Sequence, residues 1–486
     1  MSSAAPWLRR TPAIGRGSLP ALAGVGVLVL GLAVAVAAPW PVVVSVLALP
    51  VALAVAIISR RDAVTVLCIF SGSLLFIPAR FAFNVFSESL TPALLVGVLA
   101  FWLWACLKLV PALGLARGPQ PVRPVASFVV WSGLASLAAA FTRSLPDVEM
   151  RGAEIGILML LGAAGVALLA ADGITSRQRL DTFLRWLVVA ASLTAVIGVV
   201  QFTTGFDPSK YLRFPGLEAG ASGDSFIDVR SSLRRVEGTA GHPLDFALLM
   251  TVMLPLAVHY ARSPDEGRRR LAWWGCVAVL IAGNLMSVSR AGVIGIAVCA
   301  LILIPTWPRR QQLTAVVVAV LGALVVRVAI PGLMGTLLAL FNYLGTDPSI
   351  THRTGDYSLA APYIAASPVF GRGFHTWIPL YYFIIDNQYL TSLIETGLVG
   401  VVAMLAIFVV GLGTALWARH LSTDQAGRDL ALCLAAGLLS AGVTYATFDA
   451  FGFSISRGIV FILLGCTGAL WRLQRERTGP QHSLRT

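Results

Sequence analysis

An all-α, polytopic membrane fold is predicted by three observations on this sequence. Of its 486 residues, 57% are hydrophobic and 12% charged, with a mean hydropathy of +0.82, a balance of membrane proteins rather than soluble domains. The apolar residues gather into about fourteen runs of roughly spanning length for a hydrocarbon core near 30 Å. Arg and Lys recur in every second short loop, which is the topology signature of a membrane chain.

The runs lie near 20–39, 41–59, 63–78, 90–110, 124–142, 153–171 and 184–203, then 244–261, 271–288, 291–307 and 313–333, and finally 390–416, 429–447 and 452–471. Those at 63–78 and 291–307 are short for a span. Arg9, Arg10 and Arg16 precede the first run, Arg60 and Arg61 follow the second, and Lys108, Arg117 and Arg123 follow the fourth. Arg177, Arg179 and Arg185 follow the sixth, and Arg262 with Arg268, Arg269 and Arg270 follow the eighth. Arg309 and Arg310, Arg419 and Arg428, and Arg472, Arg475 and Arg477 continue the alternation. Both termini are therefore expected in the cytoplasm. The net charge of +13 reads as this bias and not as a nucleic-acid footprint, since the arginines sit in short loops. The six cysteines, all in apolar segments, read as small core residues without metal-ligand spacing. The first apolar run is full length without a clear cleavage site, so no cleavable signal peptide is expected.

This phasing divides the chain into N-terminal spans (1–203), a first outer loop (204–243), central spans (244–333), a large outer loop with short helices (334–389), and C-terminal spans with a short tail (390–486). The first outer loop holds Arg213, Arg230, Arg234, Arg235, Glu237 and His242; the second holds His352, Arg353, Arg372, His375 and Asp386. Arg290, in SVSRAG, and Asp449, in TFDAFGF, reach the same side. A lone arginine near a membrane surface usually snorkels and anchors its helix. Several arginines on the outer side, against the positive-inside bias, form instead a candidate clamp for an anion, and the guanidinium fork suits phosphate. His242 precedes Pro243 and reads either as a helix cap or as a functional group. Asn387, Thr391 and Glu395 share one helical face; the stripe is either glue between helices or, because of Glu395, a site. Tyr381, Tyr382 and Phe383 read as an interfacial belt, some of which can line a saccharide groove.

The blocks RVEGTAGHPLDFALLMTVMLPLA, SVSRAGVIGIAV and SPVFGRGF followed by DNQYLTSLIETGLVG resemble, in order, the O-antigen ligase and polymerase-like family of bacterial membrane glycosyltransferases. The resemblance covers roughly residues 200–410; the earlier spans match in hydrophobicity only. It implies an undecaprenyl-pyrophosphate-linked saccharide as donor, a glycan, lipid or protein as acceptor, and metal-independent, inverting transfer at the outer face of the inner membrane. It places Arg235 and Arg290 on the pyrophosphate, with Arg353 and Arg372 as helpers. His242, Asn387, Glu395 and Tyr382 become substrate-binding candidates. A general base must take the acceptor's proton. Where many ligases carry His before the Asn, this chain has Asp386; either Asp386 or His375, earlier in the loop, is then the base. No cofactor motif, nucleotide-binding loop or outer metal-ligand spacing occurs in the sequence. Two rival classes remain: a transporter or flippase of a lipid-linked or anionic solute, and a non-catalytic scaffold of a glycan-assembly complex. Polar groups concentrated at one face and the lack of an evident internal repeat favour the enzyme.

Overall fold

The computed structural model describes residues 63–85, 88–109, 115–219, 228–230, 233–342 and 348–478, with the single positions 48 and 51. The expected runs at 20–39 and 41–59 lie outside the described residues. The described chain is helical: α1 (Ala63–Phe76), α2 (Pro92–Leu109), α3 (Val122–Phe141), α4 (Asp147–Gly173), α5 (Arg177–Thr204), α6 (Pro243–Arg262), α7 (Arg270–Met286), α8 (Arg290–Leu303), α9 (Arg309–Ala329), α10 (Leu333–Asn342), α11 (Pro348–Ala366), α12 (Gln388–Glu395), α13 (Gly397–Leu421), α14 (Gln425–Thr444) and α15 (Ser454–Thr478). Nine of these are long and apolar enough to cross a membrane, so the protein is a multi-pass membrane protein. The count of fourteen is not confirmed: among the described residues nine helices are of spanning length, and α1 and α8 are shorter apolar helices, as expected for their runs.

Burial divides the helices. α15 and α6 form the centre, with 94% and 83% of their apolar windows buried. α4 and α14 pack around them, and small residues set the distances. A Cβ on Gly97 of α2 would lie 3.1 Å from Cα of Gly162 on α4, and one on Gly465 of α15 would lie 2.6 Å from the carbonyl oxygen of Ala167 on α4. Such close backbones are how helices associate where lipid removes the hydrophobic drive. α9 buries none of its residues; its valines and leucines are exposed, and in a bilayer they meet acyl chains.

Short strands decorate one end of the bundle. β1 (Phe81–Val85) pairs antiparallel with β2 (Glu88–Leu90) and with β3 (Glu218–Ala219), while β4 (Asp228–Arg230) pairs with β5 (Leu233–Arg235), Asp228 opposite Arg235. The segment after β5 is clamped to the spans. Thr239 donates its hydroxyl to the Leu75 carbonyl at 2.6 Å, and Gln201 both accepts from the Gly238 N–H at 2.8 Å and donates to the Gly238 carbonyl at 3.0 Å. Arg235 is thus presented from a fixed backbone.

Candidate functional site

The loop end of the bundle holds two groups of polar side chains joined by the segment 235–242. In the first, the turn between α7 and α8 carries Ser287, Val288, Ser289 and Arg290. Val288 has φ +47°, a strained value for a β-branched residue and one expected only where the surroundings enforce it. Ser289 sits at the N-cap of α8 but makes no capping bond, and its buried Oγ has no partner. Arg290 is buried in the first turn. Arg235 donates its Nε to the Ser287 carbonyl at 3.4 Å. A helix N-terminus, a spare buried hydroxyl and two guanidiniums converge here, which is the composition of an anion site.

The second group is built by three backbone segments. The loop 367–377 folds onto the junction of α12 and α13. Arg372 N–H donates to the Ile394 carbonyl at 3.0 Å, Gly373 N–H to the Glu395 carbonyl at 2.8 Å, and Leu398 N–H to the Pro368 carbonyl at 2.8 Å. Gly371 (φ +67°) and Gly397 (φ +64°) permit this contact; their Cβ atoms would lie 2.2 Å from the Glu395 carbonyl carbon and 2.4 Å from that of Val369. The glycines of the FGRGF and ETGLVG blocks are therefore required by backbone approach. Gln388 ties α12 to the 445–453 loop, donating its N–H to the Phe448 carbonyl at 3.1 Å and accepting from the Phe451 N–H at 2.5 Å. His242 caps α6, its Nδ1 accepting from the Leu244 N–H at 3.2 Å, and stacks on Phe453 with centroids 5.2 Å apart. The cap reading of His242 is therefore met, and its ring lies at the edge of this group.

Within this frame lie Asp386, Asp449, His375, Glu395 and Arg457. Burial, then the charge of Arg457, lowers the half-buried His375 imidazole to about 4; the ring is neutral at neutral pH. The ring makes no hydrogen bond among the described residues, while the His375 backbone N–H bonds the Glu395 carboxylate; its φ of +65° is left-handed, held by the close approach of its carbonyl to Gly152 of α4. Burial raises Asp449 to about 7, with Arg457 pulling down and Asp386 pushing up. Burial also raises Glu395 to about 8, with Asp449 second; its Oε1 accepts the Trp377 N–H at 3.0 Å, so Glu395 braces the loop that carries His375. Arg457, in the first turn of α15, is buried and donates to the Phe451 carbonyl.

The other sequence candidates take positioning roles. Asn387 is the N-cap of α12, its Oδ1 accepting from Tyr389 and Leu390 N–H at 3.0 and 3.3 Å. Arg372 donates to Glu149 Oε2 at 2.5 Å and to the Tyr382 hydroxyl at 2.6 Å, while Tyr382 donates to Glu149 Oε1 at 2.5 Å. The guanidinium also lies 4.8 Å from the Tyr382 centroid and 5.8 Å from those of Tyr363 and Trp377. Arg372 therefore staples the large loop to the start of α4. Arg353 falls on α11, and its side chain lies outside the described residues. Sequence reasoning missed Arg457, Asp245 and Glu149. Arg457 had a signal: SISRG repeats the SVSR pattern of Arg290 at the outer end of a span. Asp245 and Glu149 had none beyond being acidic at the start of an apolar run.

Residues 275–405 match a family model, Wzy_C, described as O-Antigen ligase. The match supports the resemblance read from the SVSRAG, SPVFGRGF and DNQYLTS blocks, and over those residues the chain is similar to the O-antigen ligase family. No curated protein matches the chain. Among solved structures, a chain from "Structural coordination of polymerization and crosslinking by a peptidoglycan synthase complex" aligns over 73% of this chain and 98% of its own, at 15% identity and a TM-score of 0.37, too loose a likeness to carry an argument.

Proposed function

We propose that this O-antigen ligase-like chain transfers or polymerises a saccharide carried on undecaprenyl pyrophosphate, placing it on a glycan, lipid or protein acceptor. The site lies at the end that the basic-loop pattern assigns to the outer face of the cytoplasmic membrane. The observation that carries the reading is the start of α8, where Arg290 and the orphaned Ser289 hydroxyl adjoin the Arg235 guanidinium. An acceptor hydroxyl attacks the anomeric carbon from the face opposite the pyrophosphate, so the configuration inverts. The new glycosidic C–O bond forms as the bond to the phosphate oxygen breaks, and its electron pair leaves on the lipid pyrophosphate. Arg235 and Arg290 meet that growing charge, the kind of interaction that contributes most to such steps.

The proton of the acceptor goes to a base on the large loop. His375 is favoured: its ring is neutral, makes no hydrogen bond among the described residues, and is held on a strained backbone. Asp386, beside Asp449, then orients the acceptor or serves as the alternative base. Turnover of a lipid-pyrophosphate-linked oligosaccharide by the purified protein tests the reading. His375→Ala should lose activity by about a hundredfold or more, and Asp386→Asn by less. The reverse ranking moves the base to Asp386, and no turnover by the wild type overturns the proposal.

A further inference from the structure

A cavity of about 300 Å³ opens at the opposite end of the bundle, between the C-terminal turn of α6, the turn after α8, and the start of α14. It is remote from every group assigned to glycosyl transfer. One wall carries Arg262, whose guanidinium stacks 4.1 Å over the Trp307 ring and gives one Nη to Gln311 at 2.6 Å. Another carries Asp429, held by the Gln425 amide at 2.8 Å. Both charges line the same space yet form no direct ion pair. Between them His259 is 9% exposed, and its imidazole has no hydrogen-bond partner among the described residues, leaving polar nitrogens that a ligand can satisfy. Val258, Leu303 and Leu432 complete the lining with apolar surface.

A cation and an imidazole, a separate carboxylate, and an apolar wall at the end of membrane helices complement one kind of molecule. We propose that this cavity binds the headgroup of an aminophospholipid. The phosphate meets Arg262 and His259, the ammonium meets Asp429, and the glycerol and first acyl carbons lie on the apolar wall. Charge-assisted contacts to phosphate are strong and directional, and a carboxylate left opposite an arginine is better matched by a zwitterion than by a simple anion, which it would repel.

The test uses the full chain in a phospholipid-free detergent, titrated with dihexanoyl-phosphatidylethanolamine, dihexanoyl-phosphatidylglycerol, phosphoethanolamine and inorganic phosphate, and read by native mass spectrometry and calorimetry. The ethanolamine lipid should bind saturably and more tightly than the glycerol lipid. Arg262→Ala should weaken both lipids about tenfold or more, a difference of about 1.4 kcal/mol. The near-isosteric Asp429→Asn should weaken the ethanolamine lipid alone. Equal binding of the two lipids, unchanged by Asp429→Asn, overturns the assignment. So does inorganic phosphate or phosphoethanolamine binding as well as the lipid, which would make this a site for a free anion or zwitterion. Absence of saturable binding overturns it outright.

Discussion

Two turns of this protein share a sequence pattern and differ in how it is satisfied. Ser287–Val288–Ser289–Arg290 opens α8, and Ser454–Ile455–Ser456–Arg457 opens α15. In the second, the buried carboxylate of Asp245 on α6 accepts the Ser456 N–H at 2.7 Å and its hydroxyl at 2.5 Å. In the first, the equivalent hydroxyl of Ser289 is buried and unpartnered. One helix start holds a carboxylate that belongs to the fold; at the other the serine hydroxyl has no hydrogen-bond partner among the described residues, and the proposed substrate phosphate would meet it. On the proposed function, that difference separates an arginine turn that supports structure from one that would meet substrate.

The largest effect should come from removing the cation of the α8 turn. Arg290→Ala should abolish glycan extension, a loss of at least about a hundredfold in turnover, while the protein still inserts and elutes as the wild type does. Arg235→Ala should follow it. Normal surface-glycan length in both strains would end the division between the two turns. At the α15 turn the effect should be on folding. Asp245→Ala strands the Ser456 donors in the interior and removes one of the carboxylates facing Arg457, costing about 1–3 kcal/mol, seen as a lower thermal midpoint in detergent. An unchanged midpoint would mean that Asp245 is not the internal counterpart of a substrate anion.

Hydrophobic run length and basic-loop phasing made the helical, multi-pass architecture legible, because a bilayer imposes both on any chain that spans it. The run at 390–416 was read as one span, whereas the helix breaks at Gly397, whose positive φ lets Val369 approach; nothing local in a Leu-rich run announces a backbone contact made by a distant loop. Arg235, Arg290, His375 and Asp386 were legible as outward polar groups. Their surroundings in the fold were not, since these depend on partners far away in sequence. Arg372 reads as a phosphate ligand in the sequence, and the structure places Glu149 and Tyr382 against its guanidinium.

A smaller effect concerns Asp449, the carboxylate near the α15 turn. Burial raises its pKa to about 7, above the ordinary carboxylate range, so its ionisation opposes folding. Stability linked to this group is present at low pH and is lost as pH rises through about 7. Asp449→Asn removes that dependence. Its thermal midpoint relative to wild type should therefore climb between about pH 4 and pH 8, and a constant difference would show that Asp449 ionises freely in the folded state.

The finest test exchanges one hydroxyl at each turn. Ser456→Ala deletes an internal hydrogen bond to a buried carboxylate, so it should cost about 1–2 kcal/mol of stability while leaving the affinity for the lipid-linked donor unchanged in the folded fraction. Ser289→Ala deletes no bond within the chain and removes a buried, unsatisfied oxygen, so stability should hold or rise slightly. The donor, however, loses one hydrogen bond to its pyrophosphate. The KM for donor should then rise about five- to tenfold, as about 1 kcal/mol requires, with kcat little changed if the contact is the same in ground and transition states. The two serines share a place in the sequence pattern, Ser289 at the N-cap of α8 and Ser456 in the first turn of α15, so general damage to a helix start would move both readouts together. Only an anion held by the chain at α15, and brought by the substrate at α8, moves them apart.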